Sequence, residues 1–407
     1  MFRKGKLTTV LALMLVLALT LTLAGCGGGA PSGGEKKEGE KKAEAPAGDV
    51  IKIGTNFEMT GGQATFGQAA LNGVKLAFKQ KNEAGGVLGG KKFEAVSGDN
   101  KSAPEESANV VTKLIDQDKV VAIIGATTSS NTLASIPIAT QKQIPVVSSS
   151  ATNPKVTVNE ADGKTNEFAF RACFIDPFQG TVMANFAAKD LKAKKAVILI
   201  DSSSDYSKGL AKFFKEAFIK NGGEILGEEA YVQKDSDFKA VLTKIKGLNP
   251  EAIFVPGYYE EVGKIVKQGR ELGITVPFMG GDGWDSPKLV EIAGAAVLNN
   301  TFFSNHYAST DPDPKIVKFV ADYQKEYGSV PDSMAVLGYD AGLMVINAVE
   351  KAGSAEPVKI KDALAATKDL EAVTAKITLN EKHDPIKAAA ILEMKDGKQV
   401  FRAKVNP

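Results

Sequence analysis

Small polar residues follow two apolar stretches of the sequence. The run Val120–Ile124 leads into Gly125–Asn131, and the run Ile144–Val147 leads into Ser148–Thr152. Hydroxyl and backbone N–H groups at the start of a helix can bind a small carboxylate without a full positive charge. The same residues also suit a plain turn, or a nucleophilic serine, which needs a base that is usually histidine. The residues alone leave these three interpretations open.

A carboxylate and two tyrosines occupy comparable positions later in the chain. Asp282 lies between two glycines after the apolar run Val276–Gly280, and Tyr206 and Tyr258 follow two other apolar runs. Asp282 is a candidate partner for a positively charged group of a ligand. Asp201 and Glu260 are alternatives, but Asp201 ends its own strand and Glu260 is expected to begin a helix.

These candidates all depend on an alternation of short strands and helices. The predicted strands are Ile51–Phe57, Phe93–Ser97, Val120–Gly125, Ile144–Ser149, Ala196–Asp201, Ala252–Gly257 and Val276–Gly280. The segments between them carry apolar residues at helical spacing, as in Leu71, Val74 and Phe78. Ser102, before Pro104, is expected to cap one of these helices. Apolar strands that alternate with helices predict α/β, mostly parallel sheets, and ligands gather at the carboxyl ends of such strands.

The N-terminal residues predict export and anchoring. Residues 1–25 have a basic start, an apolar run too short for a comfortable membrane span, and small residues before Cys26. Leu23-Ala24-Gly25-Cys26 resembles the bacterial lipobox, in which the cysteine carries the lipid. Residues 26–49 are rich in Gly, Glu, Lys and Ala without large apolar side chains, so we expect a flexible tether.

Composition argues against several classes of function. Removal of residues 1–25 leaves 47 Lys and Arg against 48 Asp and Glu, a balance that gives no reason to expect nucleic-acid binding. Cys173 is the only cysteine besides Cys26, so no disulfide is expected.

The two histidines, His306 and His383, lie in no recognisable catalytic motif, and no ligand grouping predicts a metal or another cofactor. The stretch 85–92 nearly matches a phosphate-binding loop, but Lys92 stands where Ser or Thr is required.

The body of the chain, residues 50–407, resembles the type I periplasmic binding proteins of ABC importers, in particular their branched-chain amino acid (leucine/isoleucine/valine) branch. The resemblance is carried by IKIGTNFEMTGG, GQAALNGVKLAF, IIGATTSSNT, VVSSSATNP, FRACFIDPFQG, GYYEEVGKIVKQGRELG and FMGGDGWDSPKLVEIAG. It implies two doubly wound parallel-sheet lobes joined by a three-segment hinge. The implied boundaries are 50–173 and 305–378 for the first lobe, and 174–304 and 379–407 for the second.

The resemblance also implies a site between the lobes. The implied α-carboxylate donors are Ser129 and Thr152, with backbone groups of Ser150 and Ala151. Asp282, one methylene shorter than the Glu common in the family, would take the α-ammonium. The matching aromatic positions are Phe66, Tyr206 and Tyr258.

The predicted function is therefore a monomeric, lipid-anchored, extracytoplasmic protein without enzymatic activity that passes an amino acid to the membrane permease of an ABC importer. A serine hydrolase and a receptor ectodomain of the same fold are the alternatives. Which amino acid binds, and what Trp284 does, stay open.

Overall fold

The computed structural model describes residues Val50–Pro407. The predictions of a signal peptide, of lipidation at Cys26 and of a tether concern residues outside this range. The strands are β1 (Val50–Phe57), β2 (Lys92–Asp99), β3 (Ala122–Gly125), β4 (Val146–Ser148), β5 (Ala169–Arg171), β6 (Lys195–Asp201), β7 (Glu224–Tyr231), β8 (Ala252–Phe254), β9 (Phe278–Gly280), β10 (Thr301–Asn305), β11 (Leu370–Glu371), β12 (Lys376–Ile377), β13 (Ala389–Lys395) and β14 (Lys398–Val405). The α-helices are α1 (Ala64–Glu83), α2 (Pro104–Asp116), α3 (Ser129–Gln141), α4 (Asp176–Lys189), α5 (Asp205–Lys220), α6 (Lys239–Gly247), α7 (Tyr259–Glu271), α8 (Pro287–Ala293), α9 (Pro314–Tyr327), α10 (Ser333–Ala352) and α11 (Pro357–Ala365).

The strands form two main sheets, each at the centre of one lobe. The first sheet is wholly parallel, in the order β2-β1-β3-β4-β5. The second has the order β14-β13-β10-β9-β8-β6-β7, in which only β13 runs antiparallel to its neighbours, β10 and β14. The α/β prediction is confirmed, since the strands of both sheets alternate with helices along most of the chain, apart from the hairpin of β13 and β14.

The chain passes between the lobes three times. The first passage lies between β5 and α4, the second follows β10, and the third leads from β12 to β13. Helix α10 returns to the first lobe, where Ala341, Met344 and Val345 share a core with Ile51 and Ile53 of β1. The C-terminal strands β13 and β14 complete the second sheet.

One local prediction was wrong. Ser102 does not cap α2, whose N-cap is Ala103 without a side-chain bond. Instead, the Ser102 hydroxyl donates to the Thr60 carbonyl at 2.7 Å and accepts the Gln63 N–H at 3.2 Å. Ser102 therefore fastens the loop before α1.

Among the described residues, no helix has the length and apolar character needed to cross a membrane.

Candidate functional site

A small cavity lies where the carboxyl ends of both sheets meet. Its lining comes from both lobes: Phe66, Thr127, Ser129, Ser150, Tyr206, Tyr258, Asp282, Gly283 and Met334. The enclosed volume is about 10 Å³, close to the space that one water molecule needs. An amino acid is far larger, so its entry requires the lobes to separate. Larger openings of about 460 and 720 Å³ lie at the edges of the same interface.

The first lobe contributes hydroxyl groups to this cavity. Ser129 is the first residue of α3, and its Oγ accepts the Asn153 N–H at 3.3 Å, which leaves the hydroxyl proton able to donate. The Ser150 hydroxyl already donates to the Thr127 carbonyl at 2.9 Å. Ser129 is therefore the hydroxyl of this loop pair that is best placed to donate to a ligand.

Two residues expected at the site do not line the cavity. The Ala151 N–H donates to Ser148 Oγ at 3.0 Å, and its carbonyl accepts a bond from Arg171. Thr152 is fully buried, and its hydroxyl, close to the Asp176 carboxyl, makes no hydrogen bond of good geometry with the described residues. The loop thus turns Ser150 toward the cavity and directs the next two residues into the protein.

Asp282 enters the cavity from the second lobe, at the start of the 3-10 turn Asp282–Trp284 after β9. Its Oδ1 accepts the Tyr206 hydroxyl at 2.9 Å, and its Oδ2 lies 3.0 Å from His306 Nε2. The flanking glycines make this close packing possible. A Cβ on Gly281 would lie 2.5 Å from the Tyr206 hydroxyl, and one on Gly283 would lie 2.7 Å from the Gly257 carbonyl.

No motif in the sequence indicates that His306 belongs to this site. Burial lowers the pKa of His306, so the ring is neutral near pH 7 and donates its Nε2–H to Asp282. The ring stacks on Phe174 with a centroid distance of 3.8 Å. Gln179 supports the same turn, since its Oε1 accepts the Asp282 N–H at 2.9 Å and the Ser304 hydroxyl at 2.8 Å.

Aromatic side chains form the walls. Tyr206 and Tyr258 stack with a centroid distance of 5.1 Å, and Phe66 meets Tyr258 edge-on at 5.9 Å. Burial raises the pKa of both tyrosines well above its usual value, so both keep their hydroxyl protons. Phe66 and Met334 come from the first lobe yet pack into the apolar core of the second. Trp284 is fully buried and donates its Nε1–H to the Val255 carbonyl at 3.0 Å, so it supports the site from within the second lobe.

The alternative acids and the histidines have other partners. Asp201 accepts the Ser203 N–H and hydroxyl within its own turn, and Glu260 faces Lys264 on α7. His383 bonds to the Ala169 carbonyl and stacks on Phe170. In the described part of the chain, neither histidine hydrogen-bonds a serine of the two clusters, and no group of acids, histidines and cysteines could hold a metal ion.

Comparison with known proteins identifies the family. The model of the periplasmic binding protein family matches residues 50–399. The chain belongs to the periplasmic binding protein family. This periplasmic binding protein is 30% identical over 339 residues to the leucine-, isoleucine-, valine-, threonine- and alanine-binding protein of Pseudomonas aeruginosa, a match that covers 83% of this chain and 88% of the relative.

Solved structures place this periplasmic binding protein among two-lobed type I members. It is 38% identical to the leucine binding protein LivK of Thermotoga maritima, with a TM-score of 0.83 over 88% of this chain and 99% of that chain. It is 40% identical to the branched-chain amino acid transporter substrate binding protein LivJ of Streptococcus pneumoniae, solved in complex with isoleucine, with a TM-score of 0.82 over 88% of this chain and 100% of that chain. The prediction of family and fold is thereby confirmed.

Proposed function

We propose that this protein captures an amino acid with a branched apolar side chain between its lobes and delivers it to the permease of an ABC importer. The observation that carries the proposal is the placement of Asp282 and Ser129 in one cavity, from opposite lobes, with aromatic walls. A zwitterion needs a carboxylate for its ammonium group and hydroxyl or N–H donors for its own carboxylate. The names of the relatives support the same class of ligand.

The proposed roles follow the arrangement of the cavity. Asp282 binds the ammonium group and Ser129 donates to the carboxylate, with Ser150 beside it. Ala151 and Thr152 take part only if their loop shifts toward the cavity and Ser148 releases the Ala151 N–H. The apolar side chain then lies against the aromatic walls, formed by Phe66, Tyr206 and Tyr258, and against Met334.

A thermal-shift screen of the twenty amino acids and short amides tests the proposal. A ligand at about 100 times its Kd stabilises the folded state by roughly 2.7 kcal/mol, so leucine, isoleucine or valine should raise the melting temperature clearly. Aspartate and lysine serve as controls and should not. If no amino acid shifts the transition, the proposed ligand class is wrong. A parallel turnover assay with ester and amide substrates tests the hydrolase alternative.

We also propose that the protein is exported and held at the membrane as a monomer by a lipid on Cys26, with residues 26–49 as tether. The proposed lobe boundaries are 50–173 with 305–378, and 174–304 with 379–407. Replacing Cys26 with Ser should move the protein from the membrane fraction to the soluble fraction. Unchanged membrane association of that variant would rule out the lipid anchor.

A further inference from the structure

Glu58 is a buried acid that neither the sequence motifs nor the ligand roles account for. It follows β1 directly, and its side chain is fully buried. Oε2 accepts the N–H of Thr127 at 3.1 Å and its hydroxyl at 2.5 Å. Oε1 accepts the N–H of Thr128 at 3.1 Å, its hydroxyl at 2.8 Å, and Asn131 Nδ2 at 2.8 Å. Five donors thus converge on one side chain, as a buried carboxylate requires.

These donors form the entrance to α3. Thr128 is the N-cap of α3, Ser129 is its first residue, and Asn131 lies in its first turn. Backbone N–H groups at a helix N-terminus commonly bind anions, and the helix dipole adds to the attraction. Here an anion from the same chain already occupies the N–H groups of Thr127 and Thr128. A solute carboxylate in the cavity therefore meets the donors of Ser129, the first residue of α3, and not those of Thr127 and Thr128.

The backbone of Glu58 is fixed as firmly as its side chain. Gly67 of α1 packs so closely that an added Cβ would lie 2.2 Å from the Glu58 carbonyl oxygen. Glu58 consequently lies between α1, which carries Phe66, and α3, which carries Ser129. Both helices bring side chains to the same cavity.

We propose that Glu58 is a positioning residue, an internal anion that binds Thr127 and Thr128 just before α3 and Asn131 in its first turn, and so holds Ser129 toward the cavity. Because Glu58 occupies the donors of Thr127 and Thr128, a solute's carboxylate is directed to those of Ser129. The claim about the solute's carboxylate rests on the proposed function. The claim that Glu58 holds the loop of Thr127 and Thr128 does not.

Two variants and a small anion test the proposal. Glu58→Ala leaves the five donors facing the space of the removed carboxylate. Formate should therefore raise the melting temperature of this variant in a saturable way. Chloride at the same ionic strength should not. Glu58→Gln keeps the volume but turns an amide NH₂ toward donors, so leucine affinity should fall by about tenfold or more. Formate should partly restore leucine binding to Glu58→Ala. The control is Glu94→Ala, an exposed acid on β2 of the same lobe.

Specific outcomes overturn the proposal. Equal effects of formate and chloride on Glu58→Ala would show that no carboxylate site is created. Wild-type leucine affinity in folded Glu58→Gln, even with a lowered melting temperature, would leave Glu58 a purely structural residue. If Glu58→Ala does not fold, Glu58→Gln carries the affinity test alone. If wild-type protein binds no amino acid, the proposed function is wrong. The response of Glu58→Ala to formate still tests whether the Glu58 carboxylate holds the loop of Thr127 and Thr128.

Discussion

Asp282 is the residue on which the proposed recognition of an amine depends. Its two oxygens already accept bonds from Tyr206 and His306, which fix the carboxylate in one orientation while each oxygen keeps further acceptor capacity. Asp282→Asn should therefore cost about 2–5 kcal/mol of affinity for leucine, because the buried ammonium loses its counter-charge. Calorimetry with leucine and its desamino analogue, 4-methylpentanoate, measures the effect, and the loss should be much smaller for the analogue.

The matched control is Glu260→Gln, which removes an acid that faces Lys264 outside the cavity. It should bind leucine as the wild type does. Leucine affinity within twofold of wild type in Asp282→Asn would contradict the assigned role and weaken the amino-acid assignment with it.

Asp176 makes stability depend on pH. Burial, reinforced by the nearby Asp282, raises its pKa to about 8, although Thr152, Arg171 and Gln179 act in the opposite direction. Its value in the unfolded chain is 3.8, so the folded state holds one more proton between about pH 4 and pH 8. The contribution of Asp176 to the free energy of unfolding therefore falls as pH rises through this window, by at most about 1.4 kcal/mol per pH unit.

Asp176→Asn is neutral at every pH and nearly the same size. Its melting temperature should exceed that of the wild type by an amount that grows from pH 5 to pH 8 and then levels off. Comparing the two proteins cancels His306 and His383, whose lowered pKa values act in the opposite sense in both. A difference that is constant over this range would show that Asp176 is not protonated on folding.

Among the elements, β5 connects the serine-rich loop after β4 to the hinge through Arg171. This buried side chain donates to the carbonyls of Ala151 at 2.7 Å and Asn153 at 3.0 Å, and to the Thr157 hydroxyl at 2.9 Å. Its Nε lies 2.7 Å from Asp384 Oδ1, on the third passage between the lobes. One ion pair thus joins the serine-rich loop to the segment that enters the second lobe.

Asp384→Ala should lower the free energy of unfolding by about 3–5 kcal/mol, because it leaves Arg171 buried without its counter-charge. Urea denaturation measures the change. Asp116→Ala breaks an exposed ion pair with Lys142 and should have little effect. Equal, small losses in the two variants would show that the buried pair does not stabilise the hinge.

At the scale of the whole molecule, the two lobes are closed on each other. The Ser130 hydroxyl donates to Asp205 Oδ2 at 3.0 Å, Asn153 Nδ2 donates to the Asp205 carbonyl at 2.7 Å, and the Ser333 N–H donates to Asp285 Oδ2 at 2.8 Å. With a central cavity of about 10 Å³, ligand entry and release require these bonds to break. The closed state is the one in which both lobes contact a ligand.

Leucine should therefore shift the population toward closure, because only the closed state provides contacts from both lobes. Small-angle scattering should show a smaller radius of gyration with saturating leucine than without it. Asp205→Ala removes the hydrogen bond between the Ser130 hydroxyl and the Asp205 carboxylate, so it should lower leucine affinity. Identical scattering profiles with and without leucine would contradict a hinge that closes around its ligand.

The fold class could be predicted from the sequence, because the spacing of apolar residues indicates local structure. The helix predicted from Leu71, Val74 and Phe78 and the seven predicted strands occur near their expected positions. Strands β7 and β14 were missed because, as edge strands, they keep many exposed side chains, and β5, β10 and β13 were missed as well. Strand ends also indicated Asp282 and the two serine-rich clusters, since the carboxyl ends of parallel strands meet at one edge, while the choice of Ser129 and Ser150 within the clusters came from the family resemblance.

The groups that surround these residues come from distant parts of the chain and could not be predicted. His306 reaches Asp282 from the second passage between the lobes, Met334 enters the cavity from α10, and Glu58 holds a loop about 70 residues further along the chain. None of these contacts has a period or a motif, because each depends on how separate elements pack. The sequence likewise could not show that Thr152 faces inward while Ser150 faces the cavity, since that depends on the path of one loop held by Arg171.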